Sequence, residues 1–283
     1  MKIVKINNGL GNQMFQYAFL YALRRKYNEK IKLDILDLNH DKKFNGYELD
    51  RVFNIKDDKI NEFTRKYFLK IKTNNILSII TKNKLSIYIE ENRLEYLYNI
   101  DLLKKKNISY YIGSFQSYLY FHNLYNEILQ LYKFQTILNK KNEYIYNDIV
   151  NTNSVSIHVR RNDYLRIRHL SNICNIDYYD KSIKFINDKL ENPKFFIFSD
   201  DHEWVKKNFK FNYELVNWNN NNNSYIDMFL MTKCKNNIIA NSTFSWWGAY
   251  LNHHKKNIII CPKKWTNNVI DNESIYLKNW IKF

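Results

Sequence analysis

No stretch of the 283 residues approaches eighteen consecutive apolar positions, so no membrane-spanning helix is expected. The opening "MKIVKINNGL" is too short and too polar for a secretory leader. Cysteine is scarce: Cys174, Cys234 and Cys261 are odd in number, far apart and never in a C-x-x-C pair. That argues against a disulfide framework and against a zinc site, and points to a reducing cytosol. Also missing are the G-x-S-x-G elbow of α/β-hydrolases, the H-E-x-x-H helix of zinc proteases and the G-x-x-x-x-G-K-[ST] loop of P-loop ATPases. No D-x-D is placed to hold a metal on a nucleotide sugar, so neither metal nor cofactor is expected. The formal charge is +16, but there is no basic tail. Residues 1–150 hold 25 Lys/Arg against 16 Asp/Glu, and the rest hold 19 against 12, so the surplus is spread evenly. Without a recognisable basic module, nucleic acid is not an expected partner. An anionic small substrate or an anionic membrane surface fits the same charge.

What is present is ample material for a core: 45% hydrophobic residues, 17% of the chain aromatic. Apolar positions 3, 4 and 6 predict a strand, residues 13–27 carry a helical stripe, and "IKLDI" (31–35) alternates as a strand. This is a βαβ opening. Between about 40 and 150 only helices over 60–80 and 118–135 are predicted. Past 150 the rhythm is regular, with strands at 154–159, 194–198, 237–240 and 257–261. Helices are predicted at 177–190, 201–209, 225–234 (capped by Ser224, with Asp227 in the capping-box place) and 244–251. Such alternation predicts parallel, doubly wound sheets in two Rossmann-like halves, 1–150 and 151–283. "NWNNNNNS" (217–224) reads as an exposed loop.

In open α/β sheets ligands bind beyond the carboxyl ends of the strands, and three such ends carry unusual polar residues. In "HVRRNDY" (158–164), Val155, Ile157 and Val159 share one strand face while Ser156, His158 and Arg160 share the other. An arginine fork suits two phosphate oxygens; a salt bridge from Arg160 to Asp163 is the equally weighted structural alternative. In "FSDDHEW" (198–204), Ser199, Asp200 and Asp201 could meet a base or ribose, but Asp200 with Glu203 also makes a capping pair. In "IIANSTFSWWGAY" (238–250), Asn241, Ser242, Thr243 and Ser245 stand where a helix begins, as an anion site would. A cap by Ser242 explains only one of them; Trp246 and Trp247 suit a core. At the other end, "GLGNQM" has Met14 where a dinucleotide fingerprint needs its third glycine.

Together "GLGNQMFQYAF" (9–19), "GSFQSYLYF" (113–121), "SIHVRRNDYL" (156–165), "FFIFSDDHEWV" (195–205) and "DMFLMTKCKNNIIANSTFSWWGAYLN" (227–252) resemble the inverting α1,2-fucosyltransferase family of bacterial surface-glycan synthesis, with "CPKKW" (261–265) extending the match. Two positions depart from its pattern: Asn8 and Asn162 each stand where glycine is usual. Asn tolerates positive φ, so the first turn should survive. The resemblance implies a GT-B-type fold of two Rossmann-like domains facing across a cleft. It implies GDP-fucose as co-substrate on the C-terminal half, and a galactose-terminated oligosaccharide or lipid-linked glycan as acceptor. Arg160 would meet the donor's β-phosphate, supported by His158, Arg161 and Asp163, the last also a candidate general base. Ser199, Asp200 or Asp201 would meet the guanine or ribose. Asn241, Ser242, Thr243, Phe244 and Ser245 would line the pyrophosphate and base end. Gly11, Asn12, Gln13 and Gln116 would form the sugar or acceptor side. A cytoplasmic enzyme is expected, and its positive charge is compatible with peripheral contact at an anionic inner membrane face.

Overall fold

The computed structural model describes residues 2–39, 44–73, 86–89, 97–104, 108–268 and 274–283. Its contacts divide the chain into two compact units, Met1–Gln135 and Thr136–Phe283. The division falls before the expected boundary at 150, and the reason is a helix. Lys140–Asn151 buries Ile145 and Ile149 against Phe196, Phe198 and Val216, committing it to the second unit.

In the first unit, strands β1 (Lys2–Lys5), β2 (Ile31–Asp34), β3 (Ser86–Ile89) and β4 (Ile108–Ile112) form a parallel sheet ordered β2-β1-β4-β3. The last two strands were not expected. "ISYYI" is buried at four of its five positions and so lacks the alternation that marks a half-exposed strand. Helix α1 (Leu10–Tyr27) buries far more than the expected stripe: Gln13 through Leu20 are all inaccessible, as on a helix enclosed on every side. The helix predicted over 60–80 is present as Glu62–Thr73, and 74–80 lie outside the described residues. The helix predicted over 118–135 is shorter, Tyr125–Leu131, after two 3-10 turns, the first capped by Ser117.

The second unit has six parallel strands: β5 (Asn153–Val159), β6 (Pro193–Ser199), β7 (Tyr213–Val216), β8 (Asn236–Ile238), β9 (Ile259–Cys261) and β10 (Ile281–Lys282), ordered β10-β9-β8-β5-β6-β7. The chain runs outward from β5 through β6 to β7, then returns to the other side of β5 for β8, β9 and β10. The switch point therefore lies between β5 and β8, and ligand crevices open there. The face assignment for β5 holds: Val155, Ile157 and Val159 pack with Tyr178, Tyr179 and Ile183 of helix Ile176–Lys189. On the opposite face, Ser156 Oγ accepts a hydrogen bond from Asn237 Nδ2 at 2.7 Å.

Helix Tyr225–Lys233 is present, but Ser224 is already helical and makes no side-chain cap. Asp227 instead accepts a bond from Asn219 Nδ2 at 2.8 Å, and burial pushes its carboxyl up to about 8. Asn219 in turn exchanges two amide bonds of 2.9 Å with Asn142. The asparagine run is thus anchored at a buried residue rather than wholly exposed. Helix Thr243–Tyr250 brings Trp246 and Trp247 into the core, and a Cβ on Gly248 would stand 3.0 Å from Met231 Cβ. The three cysteines are unpaired. Among the described residues no helix is long and apolar enough to cross a membrane.

Candidate functional site

The switch point of the second unit gathers all three polar strand ends. β5 and β6 pair through Val159 and Ser199, so Arg160 and Arg161 emerge beside Asp200 and Asp201. Arg160 Nε and Nη2 lie 3.1 and 2.8 Å from Asp163 Oδ1, and Nε lies 3.2 Å from Asp200 Oδ2. Asp200 Oδ1 accepts the backbone N–H of Arg161 at 2.8 Å. The salt bridge that competed with ligand binding in the sequence is therefore real. It also fixes the guanidinium at the strand end with 32% of the side chain accessible, and Nη1 is in none of these contacts. Arg160 lies 5.4 Å over the ring of Tyr164, whose hydroxyl is pushed up to about 12 by burial. Tyr164 was not picked out by its residue type, although it stands four residues after Arg160 in the same motif.

The two arginines differ. Arg161 pairs with Asp201 at 3.2 Å and stacks 4.4 Å over Trp204, so its side chain is already used by the protein. Asp201, not Asp200, caps helix His202–Asn208, accepting from Trp204 N at 3.1 Å. The capping expectation was right about the helix and one residue early about the cap. Ser199 Oγ accepts the N–H of Asp201 and shapes that turn. Asn162 donates to the carbonyl of Asp200, so asparagine at this position ties the loop to β6.

His158 is 6% exposed, lies 5.8 Å from the ring of Phe244 and leaves Nδ1 without a hydrogen-bond partner. Burial, and secondarily the charge of Arg160, depress its pKa to about 3. The imidazole is therefore neutral at any working pH.

At the end of β8 the polar residues divide in function. Asn241 donates to the carbonyls of Leu170 and Trp265, both at 3.2 Å, and accepts the Cys174 thiol at 3.5 Å. Ser245 Oγ donates to its own turn, at Ala240 O and Ser242 O. Both are buried and hydrogen-bonded within the protein. Ser242 begins the helix but makes no side-chain cap, so its hydroxyl leaves the positive helix end at Thr243 and Phe244 uncapped. A cavity of about 10 Å³, room for a single water, lies between Arg160, Tyr164, Leu170, Cys174 and Asn241.

In the first unit the switch point lies between β1 and β4, and its loops are joined by amides. Gln16 exchanges bonds with Asn7 and donates to Gly113 O at 3.0 Å. Asn8 has φ 62°, the left-handed turn anticipated for an asparagine in glycine's place. Gly9 has an ordinary φ of −74°, and a Cβ there would press on the Phe44 ring at 3.2 Å. Gln13 is fully buried, donating to Asn8 O and Gly46 O and accepting from Glu48 N. Its amide is thus engaged within the protein, and Gly11 is a buried helix position. Asn12 Oδ1 accepts from Gln116 Nε2 at 2.7 Å, so these two stand together. Phe115, just before Gln116, holds φ 50°, costly for a bulky residue and maintained by stacking 4.1 Å from Phe19. Accordingly, Gln13→Ala should lower stability by about 1–3 kcal/mol, because buried backbone groups lose their partners. Asn12→Ala should leave the thermal midpoint nearly unchanged; thermal unfolding of both variants checks the contrast.

The sequence model described as glycosyl transferase family 11 matches residues 1–283, and the chain belongs to that family. The O-antigen biosynthesis glycosyltransferase WbnK of Escherichia coli is 36% identical over 285 residues, covering 92% of this chain and 93% of the relative. An alpha-1,2-colitosyltransferase of Escherichia coli is 34% identical over 276 residues, covering 93% and 91%. Among solved structures, the NodZ alpha-1,6-fucosyltransferase soaked with GDP-fucose matches with a TM-score of 0.55 at 12% identity, covering 88% of this chain and 91% of that one. That likeness places the fold in the GT-B type.

Proposed function

We propose that this family 11 glycosyltransferase moves L-fucose from GDP-β-L-fucose to the 2-hydroxyl of a galactoside, with inversion, giving an α1,2-linked glycan. The observation that carries the reading is the convergence at the β5/β8 switch point. There, a guanidinium held by Asp163 and Asp200 stands with a helix end that no side chain caps. As the bond to the sugar breaks, negative charge grows on the leaving GDP, and fixed donors aimed at it stabilise the transition state more than the ground state. Arg160 is assigned to the β-phosphate, with Ser242, Thr243 and Phe244 at the helix end. Arg161, Asp201 and Asn241 are assigned to holding the frame. Asp163 is assigned to fixing Arg160, since its Oδ1 already receives two of the guanidinium's N–H groups. Asn12 and Gln116 are the sugar-side pair. The relatives support an α1,2 linkage and a glycan acceptor of O-antigen type.

A second donor is favoured by one specific observation, the colitosyltransferase relative. Incubation with GDP-fucose or the corresponding colitose nucleotide, across a panel of galactosides, distinguishes them by product mass and linkage. An α1,2-fucosylated galactoside formed fastest, with turnover unchanged by EDTA, is the expected result. Faster transfer of colitose, or a different linkage, would replace the assignment.

A further inference from the structure

Helix Glu62–Thr73 is two-sided in an unusual way. At about 100° per residue, Arg65 and Phe68 share one face, and Phe63, Lys66, Tyr67 and Lys70 share the opposite one. The inner face is firmly held. Arg65 pairs with Asp34 and Asp37 at 3.3 and 2.6 Å, and Phe68 meets Tyr110 edge-on at 5.7 Å beside Ile3 and Ile60. Asn61 caps the first turn by accepting from Thr64 N. On the outer face Phe63 is 80% exposed and Tyr67 52%, and Lys66 and Lys70 are exposed beside them. After Glu62 the helix carries no acidic residue.

Single exposed apolar side chains are ordinary, but this is a pair at helical spacing set among lysines on a rigid support. Aromatic rings prefer the headgroup boundary of a bilayer, and lysine stems let the ammonium groups reach lipid phosphates around them. We propose that this face docks the protein on an anionic lipid surface, with Phe63 and Tyr67 entering the headgroup layer and Lys66 and Lys70 meeting its charge. Charge decides between the occupants. A two-fold contact between copies would set the same face against itself, opposing lysine to lysine in a chain of net charge +16. An anionic leaflet complements it. The inference rests on neither the donor nor the reaction.

The test is co-sedimentation of the full chain with vesicles of phosphatidylcholine alone or mixed with phosphatidylglycerol, at low and high salt. Wild type should bind the mixed vesicles in a salt-sensitive manner. Phe63→Ser/Tyr67→Ser and Lys66→Gln/Lys70→Gln should each weaken that binding at least about fivefold, the worth of one lysine beside an anionic leaflet. Unchanged far-UV circular dichroism and thermal midpoints would show both variants folded, as outward-facing positions allow. Absent wild-type binding, equal binding to neutral vesicles, or variants that bind like wild type would overturn the proposal. So would a wild-type dimer by light scattering that Phe63→Ser/Tyr67→Ser makes monomeric, which would assign the face to a second copy.

Discussion

Arg160→Ala should lower kcat by about 10²–10³, the usual worth of one preorganised donor aimed at developing charge, with the fold intact. The side chain is partly open and belongs to no buried cluster, so its removal leaves no cavity. It does leave Asp163 and Asp200 facing each other without their shared cation. Three carboxylates, of Asp163, Asp200 and Asp201, stand here against two guanidinium groups, so the alanine variant presents an anionic donor with net repulsion. KM for the donor should therefore rise along with the fall in kcat. Arg160→Lys separates charge from geometry. An ammonium keeps the positive point but cannot span Asp163 and a phosphate with one planar fork. Near-complete rescue by lysine would mean that charge alone suffices; recovery of only a small part is the expected result. Steady-state kinetics with GDP-fucose, together with thermal unfolding, reads both quantities. A folded alanine variant with near-normal turnover would remove Arg160 from the phosphate.

The parts of this site legible in the sequence are those whose logic is local. Alternation along "SVSIHVR" assigned His158 and Arg160 to one face, because a strand's period is fixed by backbone geometry. The left-handed turn at Asn8 was legible for the same reason. What escaped depends on partners distant in the chain. Asn241 is bonded to Leu170 and Trp265, and no local pattern shows such contacts. Gln13 joins Asn8, Gly46 and Glu48, two of them more than thirty positions away. Strand Ile108–Ile112 escaped because full burial erases the alternation by which strands are found. The same division applies to the acidic pair: a cap was foreseeable from spacing, but whether Asp200 or Asp201 supplies it depends on where β6 ends.

His158→Phe should weaken donor affinity about ten- to a hundredfold while leaving stability equal or improved. The expectation rests on a buried atom with nothing to bond. His158 Nδ1 is inaccessible and unpartnered, and such groups cost about 1–3 kcal/mol unless something satisfies them. A phenyl ring keeps the packing against Phe244 and removes the unsatisfied nitrogen, so the ligand-free protein loses nothing. If the donor supplies the missing hydrogen bond, the variant loses that bond at the binding step alone. The pH dependence gives an independent reading. An unfolded imidazole takes up its proton near 6.5, but the folded one only near 3. Between those values the unfolded chain binds more protons, so this group's contribution is intact above 6.5 and is lost as pH falls towards 3. Denaturant midpoints measured across that window should fall less steeply for His158→Phe than for wild type. A flattened acid profile with unchanged donor affinity would keep the burial argument and detach Nδ1 from the ligand. A weakened donor with the same profile would mean that the folded histidine titrates near its ordinary range.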